Sequence, residues 1–459
     1  MLVYAVTTDL IAPMLAVAFN LINQSGQVPK TFKETKVRML YKKKDKRSMN
    51  NYRPLSLSNH IGKIWERCVN SFLIKHLEDH KLLSDFQDGF RPKRGTHTGL
   101  TKFWELVTSK VEKHKSLVEV FNYDLTKAFD RLNHSKVLHL LHKAGIGGYL
   151  GVCLQDWLTT RTQYVEMGIY KSPETEVKMS CVQGSVLGPS LWTLYINSLL
   201  ERLDKSKVKI DYFAYADDLT IIKHLDTQKE LGEFNDTMKI LQQWASEFNM
   251  TWSPAKTQRL VLKHRGNREP HPPLDIFFGG DKILPLETRT LKTKCVSLGV
   301  SISKDMIFTD QRHRITTDIK AKKEWVIRFF SNITEELLKR FYWAYIFPTY
   351  TYCSKVWNPM AEKYLKGLDK AVESYWKLHR KKGPNGGQPT DFLCPSLQLI
   401  LIDQIFVHKL LICESSIDFE RLFKICDNNT RQGTFQKLVL PEWDLQFSKH
   451  KLSYIVTLK

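Results

Sequence analysis

Two adjacent carboxylates, Asp217 and Asp218, lie inside a mainly apolar run of residues 210–222. Ionising both is costly in such surroundings, because burial disfavours a charged side chain and like charges repel. A divalent cation offsets this cost, and Mg²⁺ is typically bound by one or two carboxylates together with substrate phosphates. The pair therefore indicates phosphate chemistry at a magnesium site, in a tight turn between two short strands. On its own it more often marks an acidic turn in a surface hairpin, since Asp is a common turn residue.

A third carboxylate, Asp124, ends the apolar and β-branched segment of residues 117–124, whose composition predicts a strand. Residues 125–130 are then expected to open a helix that runs to about residue 141. An acid between a strand end and a helix start is commonly placed there for catalysis. The same position also suits a helix N-cap, so Asp124 alone does not decide between the two roles.

Basic side chains that could bind phosphate groups occur earlier in the chain. Arg53 lies between Tyr52 and Pro54, and the proline stiffens the backbone around it. Its guanidinium can bind triphosphate oxygens with two parallel hydrogen bonds, and Lys42 can add a point charge beside it. The basic run of residues 42–47 is equally typical of a solvated loop or a localisation signal.

Two loops carry glycine close to polar side chains. In residues 183–189, Gly184 allows the backbone to approach a ligand, and the Gln183 amide offers both donors and an acceptor. The basic loop of residues 86–98 precedes a predicted helix, which suits either phosphate contacts or an ordinary capped turn.

Periodicity predicts the elements that must hold these residues. Predicted helices cover residues 11–21, 61–77, 98–111, 234–248, 315–330, 335–346, 363–379 and 397–412. Predicted strands cover residues 37–41, 163–167 (pairing with 177–180), 259–262 and 296–300.

Composition limits the class of protein. A chain of 459 residues allows about three domains at ~150 residues each. Its net charge of +21 and its 11 Trp, 17 Tyr and 24 Phe fit a polyanionic partner bound by charge and by ring stacking. The eight cysteines lack zinc-ligand spacing, which indicates reduced thiols in an intracellular protein. Asp9 and Pro13 interrupt the apolar N-terminal run, so it predicts a packed helix and no membrane span.

The motifs together resemble the reverse transcriptase of jockey-like or LINE-like non-LTR retrotransposons, up to about residue 385. They follow the family order: “GQVPKTFKETKV”, “NNYRPLSLSNHIGKIWERCV”, “FQDGFRPKRGTHTGL”, “FNYDLTKAFDRLNH”, “VQGSVLGPSLWTLYIN” and “FAYADDLTII”. The resemblance implies an α+β right-hand polymerase. Residues 1–115 would form an N-terminal helix and fingers, 116–308 a palm with an antiparallel sheet, 309–385 a helical thumb, and 386–459 a mainly helical extension of unassigned role.

The resemblance also implies the site. Asp124, Asp217 and Asp218 match the family's catalytic and metal-binding acids, and Leu125 adds a backbone carbonyl. Two Mg²⁺ ions are implied, with Mn²⁺ as the alternative. The implied substrate-binding residues are Lys42 and Arg53 (triphosphate), Phe129 (exclusion of the 2′-hydroxyl), Gln183 and Gly184 (incoming nucleotide) and Lys256 (pyrophosphate).

The implied activity is RNA-directed DNA polymerisation on an RNA template, from a DNA primer and deoxynucleoside triphosphates. A nuclear or ribonucleoprotein location is implied as well, while the oligomeric state is not indicated. Met39, Val182 and Ser297 depart from the family pattern, which keeps open a catalytically inactive nucleic-acid-binding protein of retrotransposon origin. An RNA-directed RNA polymerase is disfavoured by Phe129. No endonuclease-like segment precedes the fingers, so a fragment of a longer element is one interpretation.

Overall fold

The computed structural model describes residues 8–42, 45–114, 118–181, 184–208, 210–224, 228–262, 277–278, 281–282, 295–302, 308–330, 333–358, 365–380, 393–411, 415, 417, 424–430 and 433–439. The helices are α1 Thr8–Ser25, α2 Lys30–Lys33, α3 His60–Asp79, α4 Thr96–His114, α5 His134–Lys143, α6 Gly148–Thr159, α7 Gly188–Asp204, α8 Gln228–Glu247, α9 Thr309–Phe329, α10 Glu335–Phe341, α11 Phe347–Thr351, α12 Ser354–Trp357, α13 Lys366–Arg380 and α14 Pro395–Leu411. The strands are β1 Glu34–Tyr41, β2 Tyr52–Leu57, β3 Val118–Tyr123, β4 Thr162–Met167, β5 Tyr170–Lys171, β6 Thr175–Glu176, β7 Asp211–Tyr215, β8 Asp218–His224, β9 Gln258–Leu262, β10 Phe277–Phe278, β11 Asp281–Lys282, β12 Cys295–Ser297, β13 Val300–Ile302, β14 Lys424–Thr430 and β15 Gly433–Val439.

A four-stranded antiparallel sheet in the order β7-β8-β3-β9 lies between two hydrophobic clusters. Successive side chains of a strand point to opposite faces. In β3, Val118 and Val120 therefore join one cluster, and Phe121 and Tyr123 join the other. Apolar side chains therefore cover both faces of the sheet.

The first cluster packs helices α3 and α5 to α8 against one face of the sheet. Its large buried side chains include Trp65, Trp157, Trp192 and Trp244. Each fully buried side chain of this kind contributes roughly 1.5–3 kcal/mol by leaving water. This cluster holds β3 and β8 in place from the side of α8.

The second cluster packs α4 and helices α9 to α14 against the other face. The cluster contains Ile222 of β8 together with Val107 of α4, Ile319 of α9, Trp376 of α13 and Leu399 of α14. The helices after residue 308 therefore share one core with the sheet.

A second sheet carries the predicted triphosphate residues. Strand β1 pairs antiparallel with β2 and parallel with β4, which in turn pairs antiparallel with β5 and β6. Asn59 caps the following helix α3 by accepting hydrogen bonds from the Ile61 and Gly62 amides at 2.8 and 3.3 Å.

The C-terminal part contains both structure types. Helix α14 belongs to the second cluster, while β14 and β15 form an antiparallel hairpin. The described part of residues 386–459 thus holds a 17-residue helix and two seven-residue strands, where a mainly helical extension was expected. No helix in the described part of the chain is long and apolar enough to cross a membrane.

Other local predictions differ from the structure. The helix expected directly after Asp124 starts later, at His134, because Lys127 has a positive φ of 52° and Asn133 supplies the cap. The partner expected for β4 was residues 177–180, but β6 takes that position and Met179 bridges to Asn133 instead. Helix α6 was not predicted, and residues 296–300 belong to a hairpin, β12–β13, instead of one strand.

Candidate active site

Strand register brings the three aspartates to one end of the central sheet. Tyr123 of β3 is paired with Leu219 of β8. Asp124 directly follows the first residue, and Asp218 directly precedes the second. Asp217 lies in the two-residue turn between β7 and β8, which is closed by the Tyr215–Asp218 pair. Residues about 90 positions apart in sequence thus occupy neighbouring strands, whose usual spacing is about 4.8 Å.

The pKa values of Asp217 and Asp218 are raised by burial and by the charges of the neighbouring acids. Burial raises the pKa of Asp217, and the negative charge of Asp124 raises it further. Burial likewise raises the pKa of Asp218 to about 6, with added repulsion from Asp217 and Asp124.

Lys256 supplies a positive charge at this end of the sheet. Its Nζ lies 2.6 Å from Asp124 Oδ2. The lysine ends a 3₁₀ turn, Pro254–Lys256, that follows the segment beside Asp124. The Ser253 amide donates to the Asp124 carbonyl at 2.9 Å, which ties the two segments together. Lys256 thus forms an ion pair with Asp124. Its predicted contact with pyrophosphate stays a prediction.

Leu125 is buried and forms a bridge with Trp252. The two hydrogen bonds of this bridge join Thr126 to Thr251 and Ser253 to Asp124. They leave the Leu125 carbonyl outside the bridge, as its predicted role requires.

Arg53 acts on Asp217 through its charge. It lies exposed on β2, and while burial raises the pKa of Asp217, the charge of Arg53 lowers it. Lys42 follows β1, and its amide donates to the Asn51 carbonyl at 2.8 Å, next to the start of β2. Lys42 and Arg53 therefore lie at the same end of the β1–β2 pair.

Phe129 and Gly184 lie on segments that adjoin these residues. The partly exposed ring of Phe129 lies 5.3 Å from the Trp192 ring and 6.2 Å from the Phe90 ring. Gly184 has a φ of +107°, and a Cβ there would lie 2.7 Å from the Ser56 carbonyl oxygen of β2. Only glycine fits this close approach without strain. Gln183 lies outside the described residues.

The basic loop of residues 86–98 has a different role from the phosphate contacts that were one of its two predicted interpretations. The Arg91 guanidinium is buried and donates to both Glu78 oxygens at 2.7 Å. Arg94 donates to Asp85 at 2.9 Å and to Asp88 at 3.2 Å. Because these cations are already paired within the protein, the structure favours the capped turn.

Two buried polar side chains that the sequence analysis missed contact the site's loops. Gln87 contacts the backbone of Ala216, directly before Asp217. Glu66 Oε2 accepts from the Val186 amide at 2.6 Å, in the loop that precedes α7. Their partners lie 129 and 120 residues away in the chain, and no local pattern could have identified them.

The donor set fits a divalent cation by its chemistry. Mg²⁺ prefers carboxylate and carbonyl oxygens, which the three acids and Leu125 offer. Their mutual repulsion would be relieved by a cation. Within the described ranges, however, no three His, Cys, Asp or Glu side chains are close enough to hold a metal ion as they stand. The ion pair with Lys256 leaves Asp124 turned toward the lysine, so metal binding would require this carboxylate to exchange partners.

A model of the family described as “Reverse transcriptase (RNA-dependent DNA polymerase)” matches residues 41–302, more than half of the chain, and the chain belongs to this family. This confirms the predicted enzyme class, the nucleotidyltransferases of the reverse transcriptase type. Its relatives confirm the predicted branch, the jockey-like elements among non-LTR retrotransposons.

The chain is similar to the RNA-directed DNA polymerase from mobile element jockey of Drosophila melanogaster, with 28% identity covering 55% of this chain and 28% of that protein. It is 23% identical to the probable RNA-directed DNA polymerase from transposon X-element of the same species, covering 77% of this chain and 38% of that protein. The chain thus spans well under half the length of these curated relatives. Among solved structures, apo telomerase from Candida tropicalis aligns with a TM-score of 0.45 at 13% identity, covering 90% of this chain and 68% of that one.

Proposed function

We propose that this chain is an RNA-directed DNA polymerase that extends a DNA primer on an RNA template with deoxynucleoside triphosphates. The observation that carries the proposal is the meeting of Asp124, Asp217 and Asp218 at one end of the antiparallel sheet. In this proposal the sheet belongs to a palm of residues 116–308 in a right-hand polymerase. Residues 1–115 serve as fingers and 309–385 as thumb, with 386–459 as an extension.

The roles of the side chains follow from charge and position. Asp124, Asp217 and Asp218 hold two Mg²⁺ ions, with the Leu125 carbonyl as a further ligand. The chemistry that such ions supply is activation of the primer 3′-oxygen and neutralisation of the leaving pyrophosphate. Arg53, whose charge already acts on Asp217, binds the triphosphate from the opposite sheet.

The other substrate contacts are proposed on the same basis. Phe129 lies under the sugar, and Gly184, which closely approaches β2, lets the loop with Gln183 pack on the incoming nucleotide. Lys42 adds charge at the triphosphate. Lys256, whose side chain is largely exposed beside Asp124, would contact the pyrophosphate.

Primer extension tests the proposal. We expect the chain to extend oligo-deoxythymidine on a homopolymeric RNA template with Mg²⁺ and labelled nucleotide. Asp217→Asn should lower the rate by about a thousandfold or more, equivalent to roughly 4 kcal/mol of lost charge stabilisation. The matched control is Asp236→Asn, which removes an exposed acid that pairs with its helix neighbour Lys239. A wild-type chain that binds the template without extending it would indicate the inactive alternative. Normal extension by Asp217→Asn would exclude the metal assignment.

A further inference from the structure

The turn that carries Asp217 has an unfavourable backbone conformation. Ala216, the first turn residue, has a φ of +55°, in the left-handed region that favours glycine. The turn also holds Asp217 next to Asp218, although their charges repel. A turn with these two costs requires contacts from outside the hairpin to hold its shape.

Gln87 supplies such contacts. The residue is fully buried, and its amide nitrogen donates to the Ala216 carbonyl at 3.2 Å. Its amide oxygen accepts from the Ala216 amide at 3.1 Å and from the Gly89 amide at 2.8 Å. One side chain therefore binds both backbone polar groups of the residue before Asp217.

Gly89 shows how closely the two segments approach. A Cβ at this position would lie 2.3 Å from the Ala216 nitrogen and 2.9 Å from its Cα. Any side chain here would push the turn away from Gln87. The glycine is required by this contact, since its own φ is not positive.

The segment around Gln87 is itself anchored. It runs beside β7, where the Asp88 amide donates to the Ala214 carbonyl at 3.1 Å and the Ala214 amide donates to the Phe86 carbonyl at 2.9 Å. The buried Asp88 carboxylate accepts from Lys102 Nζ of α4 at 2.8 Å. The segment that carries Gln87 is thus fixed to β7 and α4.

We propose that Gln87, placed by Gly89, is a positioning residue that fixes the Ala216 backbone so that Asp217 and Asp218 can bind the divalent cation together. This rests on the proposed function, because the cation is the one that the polymerase site would hold. Without the clamp, the strained turn relaxes and the two like charges separate. The same cation then binds more weakly.

Direct Mn²⁺ binding tests the clamp separately from polymerisation. Gln87→Met keeps the side-chain length and removes all three hydrogen bonds. We expect its dissociation constant for Mn²⁺, followed by electron paramagnetic resonance or calorimetry on the full chain, to rise about tenfold or more, as is usual when a supporting contact of a metal site is lost. Primer extension by Gln87→Met should fall as well, because the weakened site needs more Mg²⁺ to fill it. High Mg²⁺ should therefore restore part of the activity.

Matched variants separate positioning from folding. Gln398→Met also removes a buried amide, which lies on α14 and accepts from the Tyr342 hydroxyl at 3.0 Å, and should leave Mn²⁺ binding unchanged. Gly89→Ala should weaken Mn²⁺ binding as Gln87→Met does. If one of the two variants folds poorly, the other still tests the contact. Gly232→Ala, where a Cβ meets nothing within 4 Å, should not.

The outcomes are distinct. Unchanged Mn²⁺ affinity in folded Gln87→Met or Gly89→Ala would overturn the positioning role. Losses that match the folded fraction, and that Gln398→Met shares, would overturn it as well. If the wild-type chain binds Mn²⁺ but does not extend primers, the proposed function fails while the clamp is still decided by the titration. If the wild-type chain binds no Mn²⁺, both fail.

Discussion

Asp124, Asp217 and Asp218 repel one another, and this repulsion is a cost to the fold in the absence of a cation. The pKa of Asp218 is raised to about 6, first by burial and then by the charges of Asp217 and Asp124. A carboxyl that holds its proton more tightly in the folded state stabilises the fold at low pH and loses this contribution as pH rises. Residues chosen for chemistry can thus reduce stability at neutral pH.

This cost predicts the effect of Asp218→Asn on unfolding. The unmutated carboxyl stabilises the fold fully below about pH 4, near its ordinary pKa of 3.8, and this contribution is lost as pH rises through 6. Asn cannot ionise, so the variant should be more stable than wild type above pH 6, by about 1 kcal/mol or less after solvent screening. Thermal unfolding without divalent ions from pH 4 to 8 measures the difference. A constant difference over this range would contradict the coupling, and Asp236→Asn is the exposed control.

Phe129 gives a second test at the residue scale. Its partly exposed ring is supported by Trp192 at 5.3 Å, so truncation should open space without unfolding the site. Phe129→Ala should lower the preference for deoxynucleotides over ribonucleotides, as a ratio of kcat/KM, by about 10–100-fold. Phe72→Ala removes a ring that is 69% exposed on α3 and serves as control. Unchanged discrimination would remove Phe129 from sugar selection.

At the scale of elements, the loop before α7 depends on one buried carboxylate from α3. Glu66 is 1% exposed, and its Oε2 accepts from the Val186 amide at 2.6 Å and from the Leu187 amide at 3.4 Å. Burial raises its pKa, while these backbone amides and the charge of Arg161 lower it. The loop with Gly184 is therefore positioned from α3.

Removing this contact should affect stability and nucleotide binding together. Glu66→Ala leaves the Val186 and Leu187 amides without their buried acceptor and the buried Arg161 without the nearby negative charge, which should cost about 2–4 kcal/mol of unfolding free energy. The KM for the nucleotide should rise, because the loop that packs on it is released. Urea unfolding and primer extension measure the two effects. Glu336→Ala, which breaks an exposed pair with Arg340, should cost under about 1 kcal/mol. Equal effects of the two variants would contradict this role of Glu66.

At the scale of the whole molecule, the sheet with the acids is held between two hydrophobic clusters, and the chain carries a net charge of +21. The cations do not act alike. Arg91 and Arg94 are paired with acids of the same chain, whereas Arg53, Lys42 and Lys46 are exposed. We expect the surface cations to neutralise the phosphates of template and primer.

The salt dependence of template–primer binding measures how many phosphates the surface cations neutralise. Binding of the template–primer should weaken as its counterions are released, with a slope of log K against log salt of about −0.9 for each phosphate contact. Even four contacts imply a loss of roughly 100-fold between 50 and 200 mM salt. Fluorescence anisotropy with a labelled duplex gives the slope. Affinity that does not change with salt would contradict the charge-based interface.

Many elements followed from local patterns in the sequence. The predicted helices of residues 61–77, 98–111 and 234–248 agree with α3, α4 and α8, because their apolar spacing depends on residues a few positions apart. The strand before Asp124 and the turn at Asp217 were found in the same way. The helix after Asp124 was placed too early, since the positive φ of Lys127 has no local signature.

The sequence by itself determined the acids, the strands that carry them and the family, because these depend on residue type and order. Only the tertiary structure decided which strands are neighbours, and hence that Asp124 lies beside Asp218. It also decided that Arg91 is paired internally and that Gln87 holds the turn. Such contacts join residues more than a hundred positions apart, or bury a charge that looks exposed in the sequence. Their energies arise only when the chain has closed around them, so no local pattern encodes them.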